Sequence, residues 1–241
     1  MTSAPPADAG GALIFVPMPP HAYIELFTDH LRRGADPVLA ERYHQYTRRQ
    51  FPYYGWRMAD VRRLGSTVFR AHGLPVNEDL ADFCTLAFEQ AEREYHHLGC
   101  WALEKAHHKC VAPQFVLLEE LIETQTWWDT VDWLAKVAGA QFVLYPDQIV
   151  PVTERWMQSK NLWLQRVCLI FQLRYRERTD TTLLFSYILR LLPTQEFFLQ
   201  KAMGWALRQH TRTDAAVIKT FVQTHETILP NLTKREALRL L

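Results

Sequence analysis

The chain has 241 residues, with 27 Lys and Arg against 26 Asp and Glu, a formal net charge of +1, and 12% aromatic residues, eight of them Trp. That aromatic content excludes a disordered chain. Nine glycines, with Ala, Leu, Glu, Gln and Arg plentiful, favour helix over sheet, and the length suffices for a sizeable core in one or two domains.

Residues 1–20 carry five prolines, two adjacent glycines and no Lys or Arg. They read as a mobile tail ahead of a single folded unit over residues 21–241. The apolar run ALIFVPMPP is broken by proline and lacks a basic lead, so it fits neither a signal peptide nor a membrane span. From His21 onward, apolar residues recur at helical spacing. Helices are expected over 21–33, 37–50, 57–72, 78–88, 90–109, 113–124, 126–138, 148–158, 161–177, 181–192, 195–210, 213–224 and 232–240. Pro52, Gly73-Leu74-Pro75, Pro113, Pro146, Pro193 and Pro230 punctuate the run. Asp180, Thr194, Thr213 and Asn161 stand at N-cap positions. Leu164, Val167, Cys168, Phe171 and Tyr175 mark a buried stripe. No segment sustains strand alternation. The four cysteines (Cys84, Cys100, Cys110 and Cys168) form no CxxC pair and read as reduced thiols of a cytoplasmic protein.

The stretches WWDTVDWL, NLWLQRVCLIFQL and QEFFLQKAMGWALRQ each open an apolar-aromatic helix, and their starts lie about 34 residues apart. That period suits stacked helical hairpins of the HEAT or armadillo sort. The expected architecture is therefore an all-α solenoid whose equivalent helices line one concave groove. Charge is segmented as well. Residues 31–70 hold nine arginines against three acids, residues 71–130 hold eleven acids against three bases, and residues 161–212 hold eight bases against three acids. A fold joining the two basic blocks would make a phosphate-binding surface; separate solvated helix faces are the plainer outcome.

In WWDTVD, Trp128 and Asp132 are four residues apart and share a helix face, while Trp127 and Val131 point into the packing. A helical Trp is ordinarily core, and Thr126 and Asp129 suit a helix start. One unit later, Arg166 sits within an apolar helix and must reach solvent or a partner. One unit further, Lys201, Trp205 and Arg208 climb a single stripe. Such a basic-aromatic-basic stripe suits a nucleic-acid backbone, though snorkelling cations beside a core Trp would give the same pattern.

These segments resemble the DNA alkylation repair family, the AlkD-type DNA glycosylases. The resemblance rests on WWDTVD, WLQR with LIFQLRY, EFFLQKAMGWALR, TKREAL, and the upstream YTRRQFPYYGWRMADVRRL and EREYHHLGCWAL. It runs from about Tyr43 to the C-terminus. It implies a HEAT-like solenoid that removes alkylated purines from duplex DNA, without cofactor or metal, acting as a monomer. It implies a catalytic carboxylate at Asp132, DNA-facing tryptophans at Trp128 and Trp205, and a phosphate-contacting Arg166. Further DNA contacts fall on Arg208, Arg174, Lys201 and Tyr46. The segment YHHLGCWALEKAHHKC departs from the family. His96, Cys100 and His107 within it share a helix face but match no standard zinc spacing. A relative keeping the solenoid while only binding DNA, or serving as a scaffold, is the alternative reading.

Overall fold

The computed structural model describes residues 18–240. The expected mobile tail therefore lies outside the described residues except at its end, where the Met18 amide donates to the Tyr23 hydroxyl at 3.2 Å and Pro20 opens the first helix. The chain runs through α1 (Pro20–Arg33), α2 (Pro37–Tyr46), α3 (Met58–His72), α4 (Asn77–Glu89), α5 (Arg93–Ala106), α6 (Phe115–Glu123) and α7 (Trp128–Leu144). It continues through α8 (Ile149–Gln158), α9 (Leu162–Ile170), α10 (Thr181–Arg190), α11 (Phe197–Thr211), α12 (Ala215–Thr224) and α13 (Asn231–Ala237). No strand occurs among the described residues.

Each expected helix has a counterpart, and the differences have local causes. Helix α2 stops at Tyr46 instead of running to residue 50, because Arg48 and Arg49 take left-handed backbone conformations with φ of 54° and 60°. Helix α9 stops at Ile170, and the Gln172 side chain then bonds both the amide (2.7 Å) and the carbonyl (3.3 Å) of Asp180, pinning the following loop. Helix α7 runs six residues past the expected end at 138, since nothing before Pro146 breaks it. Gly139 within it is no breaker but a contact point: a Cβ there would lie 2.2 Å from the Phe171 carbonyl oxygen, so glycine permits the close approach of α7 to the end of α9. Asn161 and Asp180 cap their helices, Asp36 and Asp214 cap two more, and each such cap contributes about 1 kcal/mol. Thr213 precedes the true cap Asp214, and Thr194 bonds the Glu196 amide instead of capping α11.

Helices α3, α5, α7, α9, α11 and α13 pack side by side in succession, with α4, α6, α8 and α12 against them. This is a helical-repeat arrangement: each unit buries its apolar face on the next. The core runs through the stack, from Tyr23, Phe27 and Phe83 to Phe142, Trp156 and Phe171 and on to Leu207 and Ile218. Each large side chain so buried contributes about 1.5–3 kcal/mol.

Two of the sequence motifs turn out to hold one another. The Glu94 carboxylate of EREY accepts the backbone amides of Tyr54, Gly55 and Trp56 at 3.1, 2.8 and 3.1 Å, satisfying the FPYYGW loop. Gly55 has a φ of 98° and abuts the Asp36 carbonyl, where a side chain would not fit.

Ion pairs cross from unit to unit. Arg93 pairs with Asp129, Arg155 with Glu119, Arg190 with Glu154 and Arg166 with Asp132, at separations of 36, 36, 36 and 34 residues. Several bases of the 161–212 block are thus paired with acids of neighbouring helices. Arg174, Arg176, Arg178 and Arg212 make no ion pair among the described residues.

Candidate active site

Helix α7 begins with Trp127 in extended conformation at its cap. The Trp127 ring turns inward, 5.4 Å from Phe198 and 6.1 Å from Trp163 between centroids, and Val131 below it is fully buried. Helical geometry then puts Trp128 and Asp132 on another stripe. Trp128 is half-buried and meets the exposed Tyr46 ring edge-on at 5.7 Å.

Asp132 is gripped by Arg166. The guanidinium donates from Nε to Oδ1 at 2.8 Å and from Nη2 to Oδ2 at 2.9 Å, while its Nη1 donates to the Phe198 carbonyl at 2.7 Å. The parallel fork geometry fits a carboxylate as no lysine would. Arg166 is 5% exposed. The partner its buried position demanded is Asp132, and the expected phosphate contact would have to use the guanidinium that makes this fork. Burial pushes the Asp132 carboxyl above its ordinary value; the fork pulls it back, and the negative charge on Asp129 adds to the rise.

Asp132 opens onto a cleft of about 530 Å³ between α7, α11 and the segment after α9. Trp205 of α11 and the exposed Arg174 line the same cleft, so three of the expected site residues come together here. Lys136, one turn beyond Asp132, also lines it and pairs with Glu104, which in turn accepts from Trp133 Nε1. Lys136 is not among the residues that the family resemblance implies; its one sequence signal is the spacing 128, 132, 136, which continues the Trp128 stripe.

The other expected contacts group differently. Lys201 Nζ donates to Glu236 Oε1 at 2.8 Å, and Arg208 bonds the other oxygen of the same carboxylate. Glu236, on the C-terminal helix α13, thus bridges both cations of the stripe around Trp205. The two bases hold its carboxyl below the ordinary value, the Lys201 hydrogen bond most of all. Tyr46 stands with Trp128, outside the lining of the Asp132 cleft.

A second carboxylate of α7, Asp129, makes a cluster that sequence spacing did not suggest. The fully buried Arg93 donates to it from Nε at 3.2 Å and Nη2 at 2.6 Å, and also to the Thr130 hydroxyl and the Gln125 carbonyl. His97 Nε2 lies 3.0 Å from Asp129 Oδ2. Although burial alone would raise it, the bonds from His97 and Arg93 hold the Asp129 carboxyl far below the usual range.

The zinc possibility weighed for His96, Cys100 and His107 meets a different geometry. His96 is buried with Nδ1 at 3.0 Å from Arg93 Nη1 and Nε2 at 2.9 Å from the Gln90 carbonyl. Burial, with the Arg93 charge beside it, lowers its pKa to about 3. Both nitrogens are engaged, and a guanidinium faces one of them, which is no place for a cation. The Cys100 thiol is fully buried. His107 lies past the end of α5 and lines the Asp132 cleft. No group of three or more His, Cys, Asp or Glu side chains suited to a metal occurs among the described residues, and no described helix is long and apolar enough to cross a membrane.

A family model described as "DNA alkylation repair enzyme" matches residues 27–241. A solved structure titled "Predicted DNA alkylation repair enzyme from Enterococcus faecalis" aligns with a TM-score of 0.79 at 26% identity, covering 86% of this chain and 96% of its own. No curated protein matches the chain.

Proposed function

Because the chain belongs to the DNA alkylation repair enzyme family, we propose that it is a monofunctional DNA glycosylase acting on purines alkylated at N3 or N7 in duplex DNA. The observation that supports this best is Asp132, a carboxylate raised in pKa by burial yet open to a cleft it shares with Trp205 and Arg174.

An alkylated purine carries positive charge and is already a good leaving group. When its bond to C1′ of the deoxyribose breaks, the bonding electrons leave with the base and neutralise it. The sugar becomes an oxocarbenium ion. A fixed anion beside C1′ stabilises that charge as it develops, which is electrostatic preorganisation. A water then adds at C1′ and passes its proton to the Asp132 carboxylate, leaving an abasic site. One carboxylate suffices, where glycosidases acting on neutral leaving groups use two. Burial makes the Asp132 charge costly in the free protein, so an approaching cation relieves it.

The role of Arg166 in this reading is to hold Asp132 in place. Trp128 and Trp205 pack against the deoxyribose and the cationic nucleotide. Arg174 and Tyr46 meet the backbone, and Lys201 and Arg208 flank it with their charge cancelled by Glu236. Recognition through the backbone on a concave solenoid face needs no deep pocket for a flipped base. The protein acts as a monomer and requires no cofactor.

The full engagement of Asp132 by Arg166 favours one rival: a structural ion pair in a protein that binds DNA without cleaving the glycosidic bond. The two part on release of methylated purine from alkylated duplex DNA, measured for wild type and Asp132→Asn. The glycosylase reading expects release by wild type and a loss of order 10²–10³ in the variant. Equal rates would remove Asp132 from the reaction, and binding without release would establish the rival.

A further inference from the structure

We propose that a second cleft, lined by Asp129 of the first turn of α7, binds a single unstacked nucleotide other than the lesion. It encloses about 520 Å³, within the range of small-molecule sites. Asp129 is part of its lining, whereas Asp132, three residues on, lines the first cleft.

Its walls are aromatic. Tyr43 and Tyr46 come from α2 and Tyr53 from the loop before α3. The Tyr43 and Tyr53 rings lie 5.6 Å apart with a tilt of 54°, so neither face is spent on stacking with the other. Base-on-aromatic stacking is sequence-tolerant and suits such walls. Arg42 and Arg57 also line the cleft; both are exposed, and neither makes an ion pair among the described residues. The one acid in the lining, Asp129, is already held by Arg93 and His97. The uncompensated charge is therefore positive.

A flat ring carrying an anionic group answers both features, and a nucleotide is that ligand: the base among the tyrosines, the phosphate on Arg42 and Arg57. The cleft is continuous with the proposed DNA surface, because Tyr46 in its lining meets Trp128, and Trp128 shares a stripe with Asp132. This assignment rests on the DNA-binding reading above for the origin of the nucleotide, but its test needs no base release.

The probe is deoxyadenosine monophosphate, titrated into the full chain at low ionic strength. Saturable binding is expected, at least tenfold tighter than for deoxyadenosine and not competed by equimolar inorganic phosphate. Arg42→Glu and Arg57→Glu should each weaken it at least tenfold with the circular dichroism unchanged, and Arg57→Lys should retain most of it. Tyr53→Leu should weaken binding of the nucleoside as well as of the nucleotide. No saturable binding, indifference to both arginine reversals, or equal affinity for phosphate alone would each overturn the proposal. A protein that binds the nucleotide here but releases no alkylated purine would end the glycosylase reading and leave this site standing; the reverse outcome would end this site alone.

Discussion

The Arg166 guanidinium meets Asp132 edge to edge, Nε to Oδ1 at 2.8 Å and Nη2 to Oδ2 at 2.9 Å, joining α9 to α7 across 34 residues of sequence. This pair sets the orientation of the one carboxylate on which the proposed chemistry depends.

If Arg166 acts by holding Asp132, Arg166→Lys should lower the rate of base release tenfold or more, because an ammonium cannot keep two parallel bonds. The dependence of DNA affinity on salt should stay as in wild type. Arg174→Ala, at an exposed and unpaired position, should instead flatten the slope of log affinity against log salt by about 0.9, the loss of one phosphate contact. Titrations at several salt concentrations distinguish these roles.

The Asp132 carboxyl must be ionised to stabilise a cationic sugar. Its pKa lies above the ordinary value of 3.8, chiefly through burial. Activity should therefore fall as pH drops through that raised pKa, placing the acid limb of kcat/KM above 3.8. A limb at or below that value, after subtraction of uncatalysed depurination, would mean that the arginine fork outweighs burial.

Asp129 should matter more for stability than Asp132. Arg93, its partner, is wholly buried, and removing one member of such a pair costs about 3–5 kcal/mol. The folded-state pKa of Asp129 is depressed, so its contribution is present above the unfolded value of about 3.9 and is lost as pH falls toward the folded one. Urea unfolding at pH 7 should show Asp129→Asn well below both wild type and Asp132→Asn. Its deficit should shrink as pH falls below about 3.9.

Glu236 neutralises Lys201 and Arg208 together. Glu236→Gln should free both for phosphate, tightening DNA binding and steepening the salt slope by roughly 1–2. An unchanged slope would show that neither base reaches the backbone of bound DNA.

Helix identity was legible because it is a local property. Apolar spacing, breakers and caps act within a few residues, so α1 to α13 could be read one window at a time. Where α2 stops was less legible, since Arg48 and Arg49 carry no side-chain signal for the left-handed turn they adopt. The 34-residue period of WWDTVDWL, NLWLQRV and QEFFLQKA pointed to stacked units, and α7, α9 and α11 do pack in that order.

The partners of the charged residues could not be read that way. Nothing near Arg166 in sequence names Asp132, and nothing near Arg93 names Asp129. Both pairings depend on the distance and rotation between neighbouring helices, which packing of the intervening side chains sets. The sequence by itself determined the helices, their repeat and the chemical types present on each stripe. Only the tertiary structure decided which carboxylate shares a cleft with Trp205 and Arg174, which is bound by a buried arginine and histidine, and which cations are cancelled by Glu236. The reason is physical: a charge buried from water must find its counter-charge across space, and in a repeat protein that counter-charge lies a whole unit away along the chain.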